Sequence, residues 1–337
     1  MRMAVERFDT IIVGAGLSGL MAARRLVDEG LHVSIVERES VAGGRLATWQ
    51  AGSDRADIGA QFFTVRTPEF QAVVEQWLAM GWVVEWSRGW SDGLSLESQP
   101  DGHPRYIAAE GFAALARELS AGLPVRFSTQ LDVISVDDGG WIAATTEGRR
   151  IAGRSLILTP PVPQSLALLR AGGVAIPDEQ RAILDDIRYG ACLCGVFTVD
   201  GETTLPEPGA LQRPDHSISW IADNRRKGLF ASGHATLTIQ VNPETSAARW
   251  GEADTEVLTW MATELEPWLA PGAQLHPITL KRWPNAIPLG LYPARYLMLE
   301  APAPLLLAGD AFNGPRVEGA VLSGWAAADA LLRSLYS

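Results

Sequence analysis

Residues 9–39 read DTIIVGAGLSGLMAARRLVDEGLHVSIVERE, and the order of residue types in this stretch decides the fold. Residues 9–13 are a short apolar run ending at a glycine, the pattern of a buried strand. Residues 17–29 place Leu20, Ala23, Leu26 and Val27 on one face of a helix that Gly30 ends. Residues 32–37, HVSIVE, form a second strand, which completes a βαβ unit. The first turn, GAGLSG, supplies Gly14, Gly16 and Gly19. Gly14 allows the tight turn, Gly16 lets the backbone approach a pyrophosphate, and Gly19 lets the helix pack closely on the strand. The helix start offers free N–H groups and a partial positive charge to phosphates. Glu37 ends the second strand, where a carboxylate accepts hydrogen bonds from ribose hydroxyls and repels a ribose phosphate.

A second phosphate device follows at once. AGGRLAT, residues 42–48, combines a Gly-Gly doublet with Arg45, whose fork of donors can clamp a phosphate. A nicotinamide dinucleotide does not need it, whereas a long, bent dinucleotide such as FAD can use it. ADIGAQFFTVR, residues 56–66, sets the amide of Gln61 beside Phe62 and Phe63; taken alone it reads as a buried strand. At the other end of the chain, residues 309–324 read GDAFNGPRVEGAVLSG. An apolar strand ends at Asp310, a carboxylate suited to ribityl or ribose hydroxyls. Pro315 leads into Arg316, Val317 and Glu318, and the closing helix over residues 317–335 carries Ala320, Gly324 and Ala327 on its inner turns. That helix start would direct partial positive charge at the edge of a flavin that gains negative charge on reduction. Arg316 and Glu318 would fix the rim of such a site, or form a salt bridge beside the helix start.

Length and composition agree with this reading. The chain has 337 residues, beyond the roughly 300 at which single cores stop growing, so two domains are expected. Hydrophobic residues are 47% and charged residues 20%, as in a folded globular protein. A formal charge of -11 argues against a broad nucleic-acid footprint. No apolar run is long enough to span a bilayer, and residues 1–16 make a poor signal peptide, so the expected location is cytoplasmic. Cys192 and Cys194, in CLCG, are only half a metal site and read as buried small hydrophobes; no metal is expected. The 12 Trp residues are mostly core, with some available to a flat ligand.

Between the two ends, the pattern predicts helices over residues 68–80 and 110–120 and a polar loop through SQPDGHPR, residues 98–105. Strands are expected at 125–128, 131–136 and 141–145, with a buried strand and tight turn over 155–161. From about residue 162 to 288 the character changes to mixed helices and alternating strands, including an amphipathic helix over 252–265, with no phosphate-loop glycines. The expected fold is α/β: a Rossmann-type FAD-binding domain split in sequence, with an inserted α+β substrate domain. The expected division gives residues 1–66, 106–161 and 289–337 to the FAD-binding domain. Residues 67–105 and 162–288 go to the substrate domain.

GAGLSG, VER, AGGR, DIGAQFF and AGDAFNGPRVEGAVLSG together resemble the renalase-type branch of the FAD-dependent amine oxidase superfamily, with NRRK (224–227) and KRW (281–283) as looser matches. The architecture implied is that of p-hydroxybenzoate hydroxylase and the amine oxidases. The resemblance implies FAD held noncovalently. It implies contacts from Ser18, Glu37, Arg45, Gln61, Phe62 and Asp310, and from the Leu131 backbone near the adenine. Gly14, Gly16, Gly19, Arg38, Gly44, Thr159, Arg316, Val317 and Glu318 complete the expected cofactor set. The implied reaction oxidises dihydro isomers of β-NAD(P)H to NAD(P)+, with oxygen as acceptor and hydrogen peroxide as product. Gln61, Phe62, Trp220, Trp283 and Arg316 are candidates around the reacting centre, although the flavin itself carries the redox chemistry.

The chain departs from that branch in its substrate half. The resemblance places a His near Thr238, in HATLTIQV, where this chain has none; His234 is earlier in the strand. WPNAIPLGLYP, residues 283–293, leans toward the wider amine oxidase and porphyrinogen or carotenoid oxidase group. Arg225, Arg226, Lys281 and Arg282 are expected to serve a phosphate-bearing substrate. A pocket lined by Trp220, Trp283 and Trp82 or Trp86 would instead suit an amine or apolar substrate. A flavin-binding sensor without turnover and a nicotinamide-only dehydrogenase are the other readings.

Overall fold

The computed structural model describes residues 5–94, 99–229 and 235–336. His234 lies outside the described residues. The chain forms two compact units. Met1–Gly44, Ala116–Arg188 and Pro288–Ser337 make the first; Arg45–Leu115 and Tyr189–Ile287 make the second.

In the first unit, strand Glu6–Val13 runs parallel to Val33–Val36 on one side and to Arg150–Leu158 on the other. Leu305–Leu307 adds in parallel beyond Arg150–Leu158, and Val125–Arg126 beyond Val33–Val36. Three separate stretches of chain thus build one sheet, as expected of a split domain. Arg150–Leu158 is longer than the pattern predicts because it serves two partners. Its residues 150–153 pair with the antiparallel meander strand Gly140–Thr145, and 156–158 pair with Leu305–Leu307. Every residue of Val33–Val36 is buried, as suits a parallel strand covered on both faces.

Helix Leu17–Asp28 buries Leu20, Ala23 and Leu26 and exposes Arg25 and Asp28. The closing helix Val317–Tyr336 lies against it, with Ala327, Ala328 and Leu331 in the shared core. Two glycines set how close these parts come. A Cβ on Gly19 would lie 2.0 Å from the Gly14 carbonyl oxygen, and one on Gly324 would lie 2.3 Å from the Ser18 carbonyl oxygen. Both neighbours are backbone, so neither can swing aside.

In the second unit, five strands run in the order Ala210–Gln212, Ile218–Asp223, Ala235–Val241, Tyr189–Asp200, Gln274–Pro288. Helix Asp254–Leu265 lays Val257, Met261 and Leu265 against Leu193, Phe197, Leu237 and Ile239. The polar loop expected at 98–105 falls partly outside the described residues. From residue 99 onward it is instead strand Gln99–Ala108, paired antiparallel with Val83–Trp90. A partner strand supplies the backbone hydrogen bonds that this polar sequence would otherwise give to water.

The compact units divide the chain differently from the expected domains. Residues 45–66 belong with the second unit because one face of Ala235–Val241 grips them. Thr236 Oγ1 donates to the Arg55 carbonyl (3.2 Å), Thr238 Oγ1 to Asp57 (3.0 Å) and Gln240 Nε2 to Gly59 (2.6 Å). Alternate side chains on one strand satisfy alternate carbonyls on the next segment, a ladder built from side chains. Residues 162–188 belong with the first unit, where helix Val162–Ala171 packs on strand Leu131–Asp137.

Cys192 and Cys194 are free and buried in Tyr189–Asp200. Burial pushes the Cys192 thiol up to about 12 and raises Cys194 as well. The folded protein is therefore expected to leave both thiols unlabelled by a disulfide reagent at pH 8, with two equivalents reacting after denaturation. Gly324→Ala is expected to lower stability by about 1–3 kcal/mol in urea unfolding, the cost of forcing atoms into a packed contact.

Candidate functional site

The first unit presents an anion cradle at the start of Leu17–Asp28. Gly16 is the N-cap in extended conformation, no side chain caps the helix, and no acid lies in its first turn. The first N–H groups are left for a ligand. A Cβ on Gly16 would meet nothing within 4 Å, so that side of the loop is open. Ser18 Oγ is buried with no hydrogen-bond partner among the described residues. Glu37 is 7% exposed and holds the loop from the second strand. Its Oε2 accepts from the Ala15 N–H (2.7 Å) and its Oε1 from the Glu39 N–H (2.9 Å), which leaves lone pairs for hydroxyl donors. Gly43 N–H donates to the Ala15 carbonyl (2.9 Å), which brings the doublet Gly43-Gly44 against the same loop. An uncapped helix, an open glycine, an orphaned hydroxyl and a strand-end carboxylate fit a diphosphate with an unphosphorylated ribose.

Other expected residues of this unit have other tasks. Thr159 Oγ1 donates to the Val13 carbonyl (2.8 Å) and so braces the loop. Arg38 is exposed and paired with Glu39 (3.2 Å). Leu131 is buried at a register shift in its strand, and Asp310 is half-buried just past Leu305–Leu307. Val317 and Glu318 are buried in the first turn of the closing helix. Arg316 is exposed at the position just before that helix.

The second unit holds a buried polar network around Gln61. Its Oε1 accepts from Lys227 Nζ (2.9 Å) and Trp220 Nε1 (3.1 Å). Its Nε2 donates to the carbonyls of Asp57 (2.7 Å) and Gly59 (3.2 Å). All four bonds of that amide are used, so Gln61 is a brace rather than a free reacting group. Lys227 Nζ lies 3.5 Å from Asp57 Oδ2, both side chains being fully buried. Desolvation raises the Asp57 carboxyl and lowers the Lys227 ammonium from their ordinary ranges, while their mutual attraction opposes both shifts. Asp57 Oδ1 accepts from Thr48 Oγ1 (2.8 Å) and from the Phe112 N–H (3.0 Å), which caps the start of helix Phe112–Ser120.

Beside this network stands an aromatic box. Phe62, Trp86, Trp90 and Trp220 have neighbouring ring centroids 4.7 to 6.3 Å apart. Of the tryptophans expected to line a pocket, Trp220 and Trp86 stand here, joined by Phe62, which was expected at the cofactor, and by Trp90, which was not singled out. Its spacing of four from Trp86 on an alternating stretch was the available signal. Trp283 is engaged elsewhere, donating to the Ile58 carbonyl (2.8 Å) beneath Lys281.

Three of the four cations expected to serve a phosphate-bearing substrate are paired locally. Arg225 pairs with Glu202 (2.6 Å), Arg226 with Glu207, and Arg282 with Asp254 (2.7 Å) and the carbonyls of Trp250 and Glu252. Arg45 gives one N–H to the Ala286 carbonyl (3.0 Å). Lys227, the last residue of NRRK, is instead fully buried, bonded to Gln61 and facing Asp57. At Thr238, where the resemblance places a His, the hydroxyl holds the Asp57 carbonyl and accepts from Asn224 Nδ2 (2.9 Å).

A split Rossmann unit with a diphosphate cradle and a second, mixed unit define a nucleotide-cofactor oxidoreductase. Comparison with known proteins agrees. A family model described as NAD(P)-binding Rossmann-like domain matches residues 12–77, and one described as flavin containing amine oxidoreductase matches residues 80–332. The chain belongs to the flavin-containing amine oxidoreductases. It is 24% identical to renalase of Mus musculus over 76% of this chain and 78% of that protein. It is 34% identical to phytoene dehydrogenase of Streptomyces griseus over 31% of this chain, spanning only 22% of that protein. A solved variant of putrescine oxidase matches with a TM-score of 0.71 at 16% identity, covering 98% of this chain and 100% of that one. Among the described residues no helix is long and apolar enough to cross a membrane.

Removing either partner of the buried pair is expected to cost about 3–5 kcal/mol, by Lys227→Met or Asp57→Asn. Denaturant unfolding of the double variant should show a loss well below the sum of the two.

Proposed function

We propose that the chain is an FAD-dependent oxidase of a reduced nicotinamide, acting on dihydro isomers of β-NAD(P)H. What supports this reading most is the extent of the renalase likeness, which runs through 76% of this chain and 78% of the relative. In the first unit, the open Gly16, the unpartnered Ser18 hydroxyl and the helix N-terminus would hold the FAD diphosphate, with Glu37 on the adenosine ribose. Bound noncovalently, FAD supplies a two-electron acceptor that takes a hydride and is reoxidised by oxygen to give hydrogen peroxide. The protein's part is to bind, orient and keep water out. A dihydropyridine is already a hydride donor, so no side chain has to move a proton first. In the second unit, the braced Gln61, Phe62 and Trp220 are the candidates for the substrate side.

A second reading, oxidation of an amine, has in its favour the match of residues 80–332 to the flavin containing amine oxidoreductase family. Anaerobic mixing with each donor separates the two. The expected result is rapid bleaching of the flavin by dihydro-NAD isomers and not by putrescine or benzylamine, reversed by air with one peroxide per turnover. Bleaching by amines alone would replace the first reading with the second. Gly16→Val should fold, because its side chain enters open space, yet purify with less than about a tenth of the wild-type flavin.

A further inference from the structure

The box in the second unit has a property that its aromatic composition hides: its polar atoms are donors. The indole Nε1 atoms of Trp86 and Trp90 are buried and have no hydrogen-bond partner among the described residues. An indole N–H can only donate, and burying one without an acceptor costs about 1–3 kcal/mol. Trp90 is 6% exposed, and its ring centroid is 4.7 Å from that of Trp86 on the same strand. Two unspent donors therefore sit in neighbouring rings. Two cations stand over the same rings. Lys227 Nζ is 5.1 Å from the Trp86 ring centroid, and the Arg105 guanidinium is 5.3 Å from that of Trp90. Asp57 is the carboxylate that faces Lys227: its Oδ1 is taken by Thr48 and Phe112, and its Oδ2 lies 3.5 Å from Lys227 Nζ. Phe62 and Trp86 are only half-buried, which gives a flat molecule an edge to stack against.

A cationic amine has little to gain here. It has no acceptor to offer, so it would leave both indole donors unpaired. A carboxylate, or another anionic acceptor on a planar ring, gains indole N–H donors in a desolvated place, where charge-assisted bonds are strong. We infer that the Trp86–Trp90 box is an acceptor-selecting subsite, which takes the anionic group of a planar substrate and excludes amines. The inference narrows the substrate class of the proposed oxidase and rests on that reading only for its biological use; the binding itself does not depend on flavin reduction.

The test uses the flavin-loaded protein and calorimetric titration with benzoate, benzamide and benzylamine. Saturable benzoate binding, at least tenfold tighter than benzylamine with benzamide between them, is the expected order. Trp86→Phe and Trp90→Phe keep a ring and delete the donor. Each should weaken benzoate about tenfold, the worth of one charged hydrogen bond, and leave benzylamine unchanged. Both variants should stay folded by circular dichroism, and the change in the benzoate-to-benzylamine ratio is the readout; a merely structural tryptophan would shift the unfolding midpoint and leave that ratio unchanged. Benzylamine binding as tightly as benzoate, no saturable benzoate binding, or an unchanged ratio in both folded variants would overturn the subsite. A protein that binds benzoate in this manner but is not bleached by dihydro-NAD isomers would refute the proposed substrate and leave the subsite standing.

Discussion

The first unit depends on two places where backbone touches backbone with no side chain between. At Gly19 the helix meets the carbonyl of its own entry loop, and at Gly324 the closing helix meets the carbonyl of Ser18. Those contacts place the start of Leu17–Asp28, and the start of that helix is where the anion cradle lies. A shift of one ångström there would move every free N–H of the first turn. Residues 14–19 and 324 are far apart in sequence, so cofactor geometry and closure of the split unit are one constraint. This explains why the C-terminal segment has small residues on its inner turns where larger ones would bury more apolar area.

The second unit is organised around charge. Asp57 caps a helix and balances Lys227, and Lys227 fixes one side of the Gln61 amide. Such a chain is costly to break at any link, since each loss strands a buried polar partner. Apolar replacements could fill the same volume at similar stability. The network is better understood as holding one conformation of the segment from Asp57 to Phe62 than as a source of net stability.

The βαβ start, the helix bounds near residues 68–80 and 252–265 and the split sheet were legible because periodicity and glycine spacing are local signals. The aromatic box and the buried pair were not. Lys227 follows two arginines and reads as one more surface charge until Asp57, from a segment 170 positions earlier, is placed against it. Asp57 in turn reads as part of DIGAQFF, a motif whose family meaning drew attention to Gln61. Thr238 was read as a missing His, and its actual task, a rung in a side-chain ladder, needs the neighbouring segment to be seen.

The location of positive charge in the second unit decides what each cation can contribute to recognition. Arg225, Arg226 and Arg282 are paired near solvent, where screening and competing carboxylates leave little field for a ligand. Lys227 is fully buried, and one unit charge there acts through a much lower dielectric. Asp57 offsets that charge, but from one side and with its carboxylate shared among three donors. Lys227 also meets the Trp86 ring, a contact worth about 2 kcal/mol or more in a dry site, and donates to Gln61. Position in the fold, and not the number of basic residues in a sequence motif, therefore separates the buried cation from the arginines that are paired near solvent.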